Sequence, residues 1–431
     1  MSVKQSERTR SNFLAYLEGL RKAFMSVKQS ERTLPNFLTY LDELHERGGV
    51  HFDERIKAWH VLGYDDTLQV LTDPVTFSSD VAPSRAPKQE DPEQEEFDLF
   101  NRGNFVRADD PVHRRLRGLV SRAFTPKMIA DLESRIVEMT TQLFEHADAG
   151  GNQWDFVAQL AYPLPFMVIA EMLGIPVTDR DFVRRLSDTY FEVSYVDPEE
   201  SLDSLRDSAI ESVGPLLREL NTHLLEFVRD RRENPREDLT SKLLAVEDDG
   251  SRLDDEETVG FLGLLLLAGH VTATCALGNT VLALHENPEV WTELRADPTL
   301  IPAAIEESMR FRPPFPRLGR QATKDAVIGG QTIPAGSFVM AWLTTANRDE
   351  RVFTNPDRFD IHRESNPHLT FGRGIHFCLA APLARLMARI TIGVLMERYS
   401  DIRVRDDVAV NLRNPWVMIG VNRLPVEVRR F

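Results

Sequence analysis

The sequence predicts a mainly α-helical protein with small β-sheets, folded as one large domain. Three observations carry this. Helix-period apolar patterning dominates from about residue 67 to about residue 271, and one segment at 261–285 is apolar almost all round. Strand-like alternation is confined to short stretches, HFDERIKAWHVLGYDD at 51–66 and AVIGGQTIPAGSFVMAWLTTAN at 326–347. No Pro/Gly/Ser-rich linker divides the 431 residues, and a hydrophobic share of 42% is enough for one large core.

Taken in order, the chain begins by repeating itself. MSVKQSERT stands at 1–9 and again at 25–33, followed by SNFLAYLEGL and PNFLTYLDEL. With no further copies this is not a solenoid. The second copy reads as a helix opened by Pro35 and closed by Gly48 and Gly49. Residues 1–24 are therefore expected to be a duplicated or added leader, and 25–431 the folded domain. Residues 81–96, rich in proline and acid, read as a loop: a solvated surface loop or a pocket wall. Helices are expected at 127–147, 160–173, 208–233, 298–312 and 381–397, the last preceded by a cysteine-bearing loop. The 261–285 run is long enough to cross a bilayer, but Gly269, His270, Thr272, Thr274, Asn279 and Thr280 interrupt it and basic flanks are missing. It reads as the central helix of a soluble core.

A formal net charge of −16 argues against nucleic acid as the partner, because phosphate binding needs a basic face. The first residues are polar, and the only cysteines, Cys275 and Cys378, lie far apart in sequence. A disulfide framework is not expected, and a reducing, cytoplasmic setting without membrane attachment is.

The chemistry centres on FGRGIHFCLAAPLAR at 371–385. Gly372 and Gly374 let backbone approach a flat cofactor closely. Cys378 precedes a helix, where N–H groups and the dipole favour thiolate. Zinc is disfavoured, since no second Cys or His stands at ligand spacing. Cys275 reads as a buried, inert thiol.

This segment resembles the haem-binding signature of the cytochromes P450, Phe-Gly-x-Gly-x-His-x-Cys-x-Gly, and departs only at Ala380. Four further segments resemble the family in the same order, covering nearly the whole chain from about Met25. The resemblance implies the P450 fold and haem b with its axial thiolate from Cys378, cradled by Phe371, Gly372, Gly374 and Ala268. It also implies haem propionates held by His113 and Arg117 (in ADDPVHRRLRGLVSRAFTP), Arg320 and His376. In IPAAIEESMRF it implies that Glu307 and Arg310 lock to a later arginine, Arg358 in NPDRFDIHR; without the family these two would read as an ordinary surface pair.

In AGHVTAT, at 268–274, the resemblance gives Gly269 as the point where the helix loosens for dioxygen and Thr272 as the alcohol that hydrogen-bonds it. The acid that normally precedes this alcohol is replaced by Val271. Three routes for protons stay open: Thr272 organising water alone, which is the favoured one; His270 from an offset position; or a polar group of the substrate. The Arg-Pro pair of peroxide-using relatives is absent.

The resemblance further implies a monooxygenase acting on an apolar small molecule, by hydroxylation or epoxidation, in natural-product metabolism. Its electrons would come from a separate ferredoxin and its reductase. Arg114, Arg115, Arg122, Lys127 and Arg373 would form the donor's docking patch on a monomeric protein. Pocket walls are expected at 87–105, 188–195, 265–272, 314–318 and 416–417. Non-oxygenating coupling or rearrangement, peroxide-driven oxidation, and a catalytically impaired partner-recruiting protein are the alternatives.

Overall fold

The computed structural model describes residues 33–81, 92–175, 182, 185, 186, 189, 202–248, 250–405, 407, 408 and 410–431. The expected leader at 1–24 and most of the walls at 87–91 and 188–195 lie outside the described residues. Thr33 starts the first helix, α1 (Leu34–Glu46), by accepting the Asn36 N–H, with Pro35 in the first turn as expected. The hairpin β1 (Val50–Asp53) and β2 (Ala58–Val61) follows, then α2 (Tyr64–Thr72) and β3 (Phe77–Ser78). The acidic segment read as a loop ends in a helix, α3 (Pro92–Arg102), which has proline at its first position, where a missing backbone N–H costs nothing.

Next come α4 (Val112–Ala123), α5 (Pro126–Asp131), α6 (Glu133–Ala149) and β4 (Gln153–Asp155). The helix expected at 127–147 is thus bent at Leu132, which keeps helical dihedrals. A π-helical turn over Val157–Ala161 leads into α7 (Pro163–Leu173), and α8 (Leu202–Glu233) and α9 (Leu239–Ala245) follow.

At the centre lies α10 (Asp255–Glu286). Asp254 accepts the Glu257 N–H at 2.7 Å and Glu257 returns the contact to the Asp254 N–H, a reciprocal cap with three acids at the positive end of the helix. Of its most apolar stretch, 83% is buried inside the protein, so it is a core helix. Helices α3, α7 and α8 pack directly on it. The crossing with α3 is backbone to backbone: a side chain at Gly103 would collide with the Glu257 carbonyl, and one at Gly260 with Gly103 itself.

The chain continues through α11 (Pro288–Ala296) and α12 (Ile301–Phe311), then β5 (Arg317–Ala322), β6 (Ala326–Ile328), β7 (Gln331–Ile333), β8 (Phe338–Trp342) and a helical turn α13 (Leu343–Ala346). After the cysteine loop come α14 (Ala381–Arg398), β9 (Tyr399–Val404), β10 (Asn411–Leu412), β11 (Val421–Arg423) and β12 (Pro425–Arg430). The largest sheet runs β1-β2-β8-β5-β3, with β2 and β8 parallel and the other neighbours antiparallel. A three-stranded sheet and two hairpins complete a mainly helical fold. The main apolar core surrounds α10, and smaller clusters lie against the five-stranded sheet.

Candidate functional site

The cysteine loop is built from its own backbone. Gly372 and Gly374 both take φ of +70°, a region that strains any side chain, and a Cβ at Gly374 would press on the Leu71 carbonyl of α2. The Cys378 N–H donates to the Phe371 carbonyl at 2.9 Å, which folds the loop back on itself. Ala380, the departure from the resembling signature, has φ of −87°, so its methyl group meets no backbone strain.

Besides α2, two elements reach this loop. From α4, Arg117 donates to the Phe377 carbonyl at 2.6 Å, and the His113 ring lies 4.4 Å from the His376 ring. From β5, Leu318 lies beside Gly372, and the charge of Arg320 is felt by His376. Phe105 ties the cluster to the central helix, with ring contacts to both His113 and Phe261 at 6.1 Å.

This cluster is rich in donors and short of acceptors. Both ring nitrogens of His376 and Nε2 of His113 are buried without a hydrogen bond inside the protein. Arg320 is buried, donates to its neighbour Gly319's carbonyl, and makes no ion pair among the described residues. Burial pushes His376 down to about 3, helped by His113 and two guanidiniums, and pushes Arg320 down to about 10. Buried donors left over in this way fit a bound anionic group with several acceptor oxygens. Beside them, burial pushes the Cys378 thiol up, against the pull of the Ala380 and Ala381 N–H groups, Arg117 and Arg385. The expected lowering by the helix start is present, and desolvation outweighs it. A bound metal ion reverses that balance and deprotonates the thiol outright.

On α10, Leu264, Ala268 and Thr272 are only partly buried whereas most of the helix is fully buried. Their spacing of four places them on one line, with Gly269 beside it. Thr272 donates Oγ1–H to the Ala268 carbonyl at 2.6 Å. Gly269 serves packing: any side chain there would run into Ile169 of α7. The helix passes through it without a break. His270 is turned off this line, with Nε2 3.0 Å from the Tyr162 carbonyl and its ring against Tyr162 and Phe166. Val271 is fully buried in an apolar cluster with Cys275 and Met418, flanked by Phe315 and Val417.

Glu307 and Arg310 are fully buried, unlike a surface pair. Arg310 donates Nε–H and Nη2–H to Glu307, each at 2.8 Å. The third partner is Arg363, not Arg358: Arg363 Nε lies 3.0 and 3.1 Å from the two Glu307 oxygens. Arg358 is exposed, and only its backbone carbonyl joins in, accepting from Arg310 and Arg363. The motif spacing identified the right segment but not which arginine turns inward. Trp416, placed on the pocket wall by sequence, instead packs on Phe37 at 5.3 Å; Val417 is the partly exposed member of that pair.

A sequence model of the family described as Cytochrome P450 matches residues 60–429. The chain belongs to the cytochrome P450 family. It is 40% identical to the erythromycin C-12 hydroxylase of Saccharopolyspora erythraea, over 87% of this chain and 90% of the relative. It is also 40% identical to the cyclomarin C epoxidase CymV of Salinispora arenicola, over 84% of this chain and 88% of that one. The solved structure of cytochrome P450 TbtJ1 superposes with a TM-score of 0.80 at 39% identity, covering 91% of this chain and 97% of TbtJ1. P450 relatives named hydroxylase or epoxidase make this chain a P450 monooxygenase, and the family implies haem with a thiolate ligand.

Four of the five cations expected to dock an electron donor already carry a carboxylate. Arg114 pairs with Asp110, Arg115 with Glu257, Arg122 with Asp248 and Lys127 with Asp131. Arg373 instead reaches the Pro367 carbonyl.

Proposed function

We propose that Cys378 gives its thiolate to haem b and that this P450 inserts one oxygen atom from dioxygen into an apolar natural product. The observation that carries the reading is the buried polar cluster beside Cys378: His113 and His376 with ring nitrogens that lack a partner, the buried Arg320 without an ion pair among the described residues, and Arg117 on the same loop. They match the two propionates of a haem in charge and in number of donors. Phe371, Gly372, Gly374 and Ala268 complete the cradle. Bound there, haem supplies the iron that activates dioxygen.

The chain's own contribution on the oxygen side is Thr272. Its hydroxyl proton is given to the Ala268 carbonyl, so the oxygen lone pairs remain to accept from a water. His270 is engaged with the Tyr162 carbonyl and lies off the line, which favours Thr272 acting alone. Leu264, Ala268, Phe315, Leu318 and Val417 make the partly exposed interior surface apolar, suited to an apolar substrate. The relatives' substrates, erythromycin and cyclomarin C by name, support a natural product of this kind.

The cysteine test is direct. The reduced carbon-monoxide complex should show the absorption band of thiolate ligation, and Cys378→Ser should abolish it. A native protein without that band, or a Cys378→Ser variant that keeps it, overturns the assignment.

Electrons come from a separate ferredoxin-type protein in the cytoplasm, served by its reductase, and the P450 works as a monomer. Because Arg114 and Arg115 are already paired, their attraction for an acidic donor is the residue left after Asp110 and Glu257 are counted. Charge reversal at both, Arg114→Glu with Arg115→Glu, should still lower the reduction rate by about an order of magnitude at low salt and converge with the native rate at high salt. An unchanged low-salt rate places the docking surface elsewhere.

A further inference from the structure

A second charged network lies behind the cysteine loop, separate from the Glu307 network. Arg385, on the second turn of α14, donates Nε–H and Nη2–H to the two oxygens of Glu306, at 2.7 and 2.8 Å. Its guanidinium carbon sits 4.4 Å from the centre of the Phe371 ring. Phe371 is the residue whose carbonyl accepts the Cys378 N–H. On the far side of Glu306, His368 brings Nε2 to 3.2 Å from the carboxylate, while its Nδ1 accepts the Thr370 N–H at 3.3 Å. That hydrogen-bond pattern puts the His368 proton on Nε2, facing Glu306. The His368 ring also touches the Phe371 ring, at 5.9 Å.

The arrangement is a fixed row: imidazole N–H, carboxylate, guanidinium, aromatic ring, sulfur loop. Each group is held by the next, so none needs to reorganise when charge at the sulfur changes. A surface pair would be screened, but Glu306 and Arg385 are each about one-third exposed and closed off on one side by the ring.

We propose that Arg385 is a positioning residue that sets the electrostatic field at the Cys378 sulfur, and that Glu306, oriented by His368, determines how much of the Arg385 charge reaches it. This deepens the haem-thiolate reading above and rests on it.

The consequence is a pair of opposite shifts in the iron reduction potential. One-electron reduction adds negative charge beside the sulfur, and a nearby cation favours the reduced state. Arg385→Gln removes the cation and leaves Glu306, so the potential should fall. Glu306→Gln leaves the cation uncompensated, so the potential should rise. Arg385→Lys keeps the charge and should recover most of the loss, and the double variant, with both charges gone, should lie between the single ones. A merely structural role would lower thermal stability in both single variants and would not split the potentials by sign.

The test is spectroelectrochemical titration of the substrate-free holoenzyme and these four variants, each first checked by its reduced carbon-monoxide band. Loss of that band in the native protein would refute the haem-thiolate reading itself. With the band intact, shifts of the same sign, or none, in Arg385→Gln and Glu306→Gln overturn the inference. Should Arg385→Gln fail to retain haem, Glu306→Gln decides alone: an upward shift supports the inference and an unchanged or lower potential overturns it.

Discussion

Glu307→Gln should be among the most damaging single substitutions in this protein, costing about 3–5 kcal/mol. Glu307 accepts from Arg310, Arg363, the Asp360 backbone N–H and the Asn366 side chain, all at 2.8 to 3.1 Å. It is fully buried and Arg363 nearly so, so the amide would leave two guanidiniums facing each other without a counter-charge. An unfolding entropy of roughly 2 cal/mol/K per residue converts this cost into a Tm lowered by about 3–6 °C. Haem retention should fall with it: Asn347, whose carbonyl accepts from Arg310, takes the Leu369 N–H on its side-chain oxygen at 2.7 Å, two residues before Phe371. Arg363→Gln should cost less, since the Glu307–Arg310 pair survives. Arg358→Gln should stay within about 0.5 kcal/mol, because an exposed side chain is lost while the backbone carbonyl remains. Thermal unfolding of the three variants orders them, and equal losses for Arg358→Gln and Glu307→Gln would refute the network as drawn.

That contrast shows how far the residues alone could be read. The stretch NPDRFDIHR pointed to the right segment, because an arginine was needed near it. Choosing between Arg358 and Arg363 needed the path of the chain: the turn at 354–358 aims carbonyls, not side chains, at Arg310. The same holds along α10. Its apolar composition and polar interruptions marked a core helix, and the step of one residue from position 271, where the usual acid would stand, already turned His270 aside. The Tyr162 carbonyl that holds His270 lies 108 residues away and leaves no local signal. The network of Glu306, His368 and Arg385 was invisible for that reason too, since its members sit on three separate segments. The packing of Trp416 on Phe37 likewise joins residues far apart in sequence and leaves no local signal. Cys378 itself was legible, because the positive-φ glycines and the helix start are encoded within a few residues of it.

Adding the missing acid back should harm this enzyme rather than improve it. Val271→Asp places a carboxyl among Cys275, Met418, Phe315 and Val417, where the native side chain is fully buried. The variant loses apolar burial and gains a polar group without a partner in the cluster, together about 3–5 kcal/mol. Burial raises the carboxyl's folded pKa above its unfolded value, so the unfolded chain releases the proton first as pH rises. The sign follows: the stability deficit against the native protein is smallest near pH 4 and grows toward neutral pH, by at most about 1.4 kcal/mol per pH unit, levelling off above the folded pKa. Thermal unfolding of both proteins between pH 4 and pH 8 measures it, and a deficit that shrinks with pH would mean the carboxylate finds a cation. Coupling of reductant consumption to product should not rise, because the side chain at 271 is fully buried against Cys275 and Met418. If the variant instead couples better than the native protein, protons reach the oxygen side through position 271, and Thr272 does not organise their path alone.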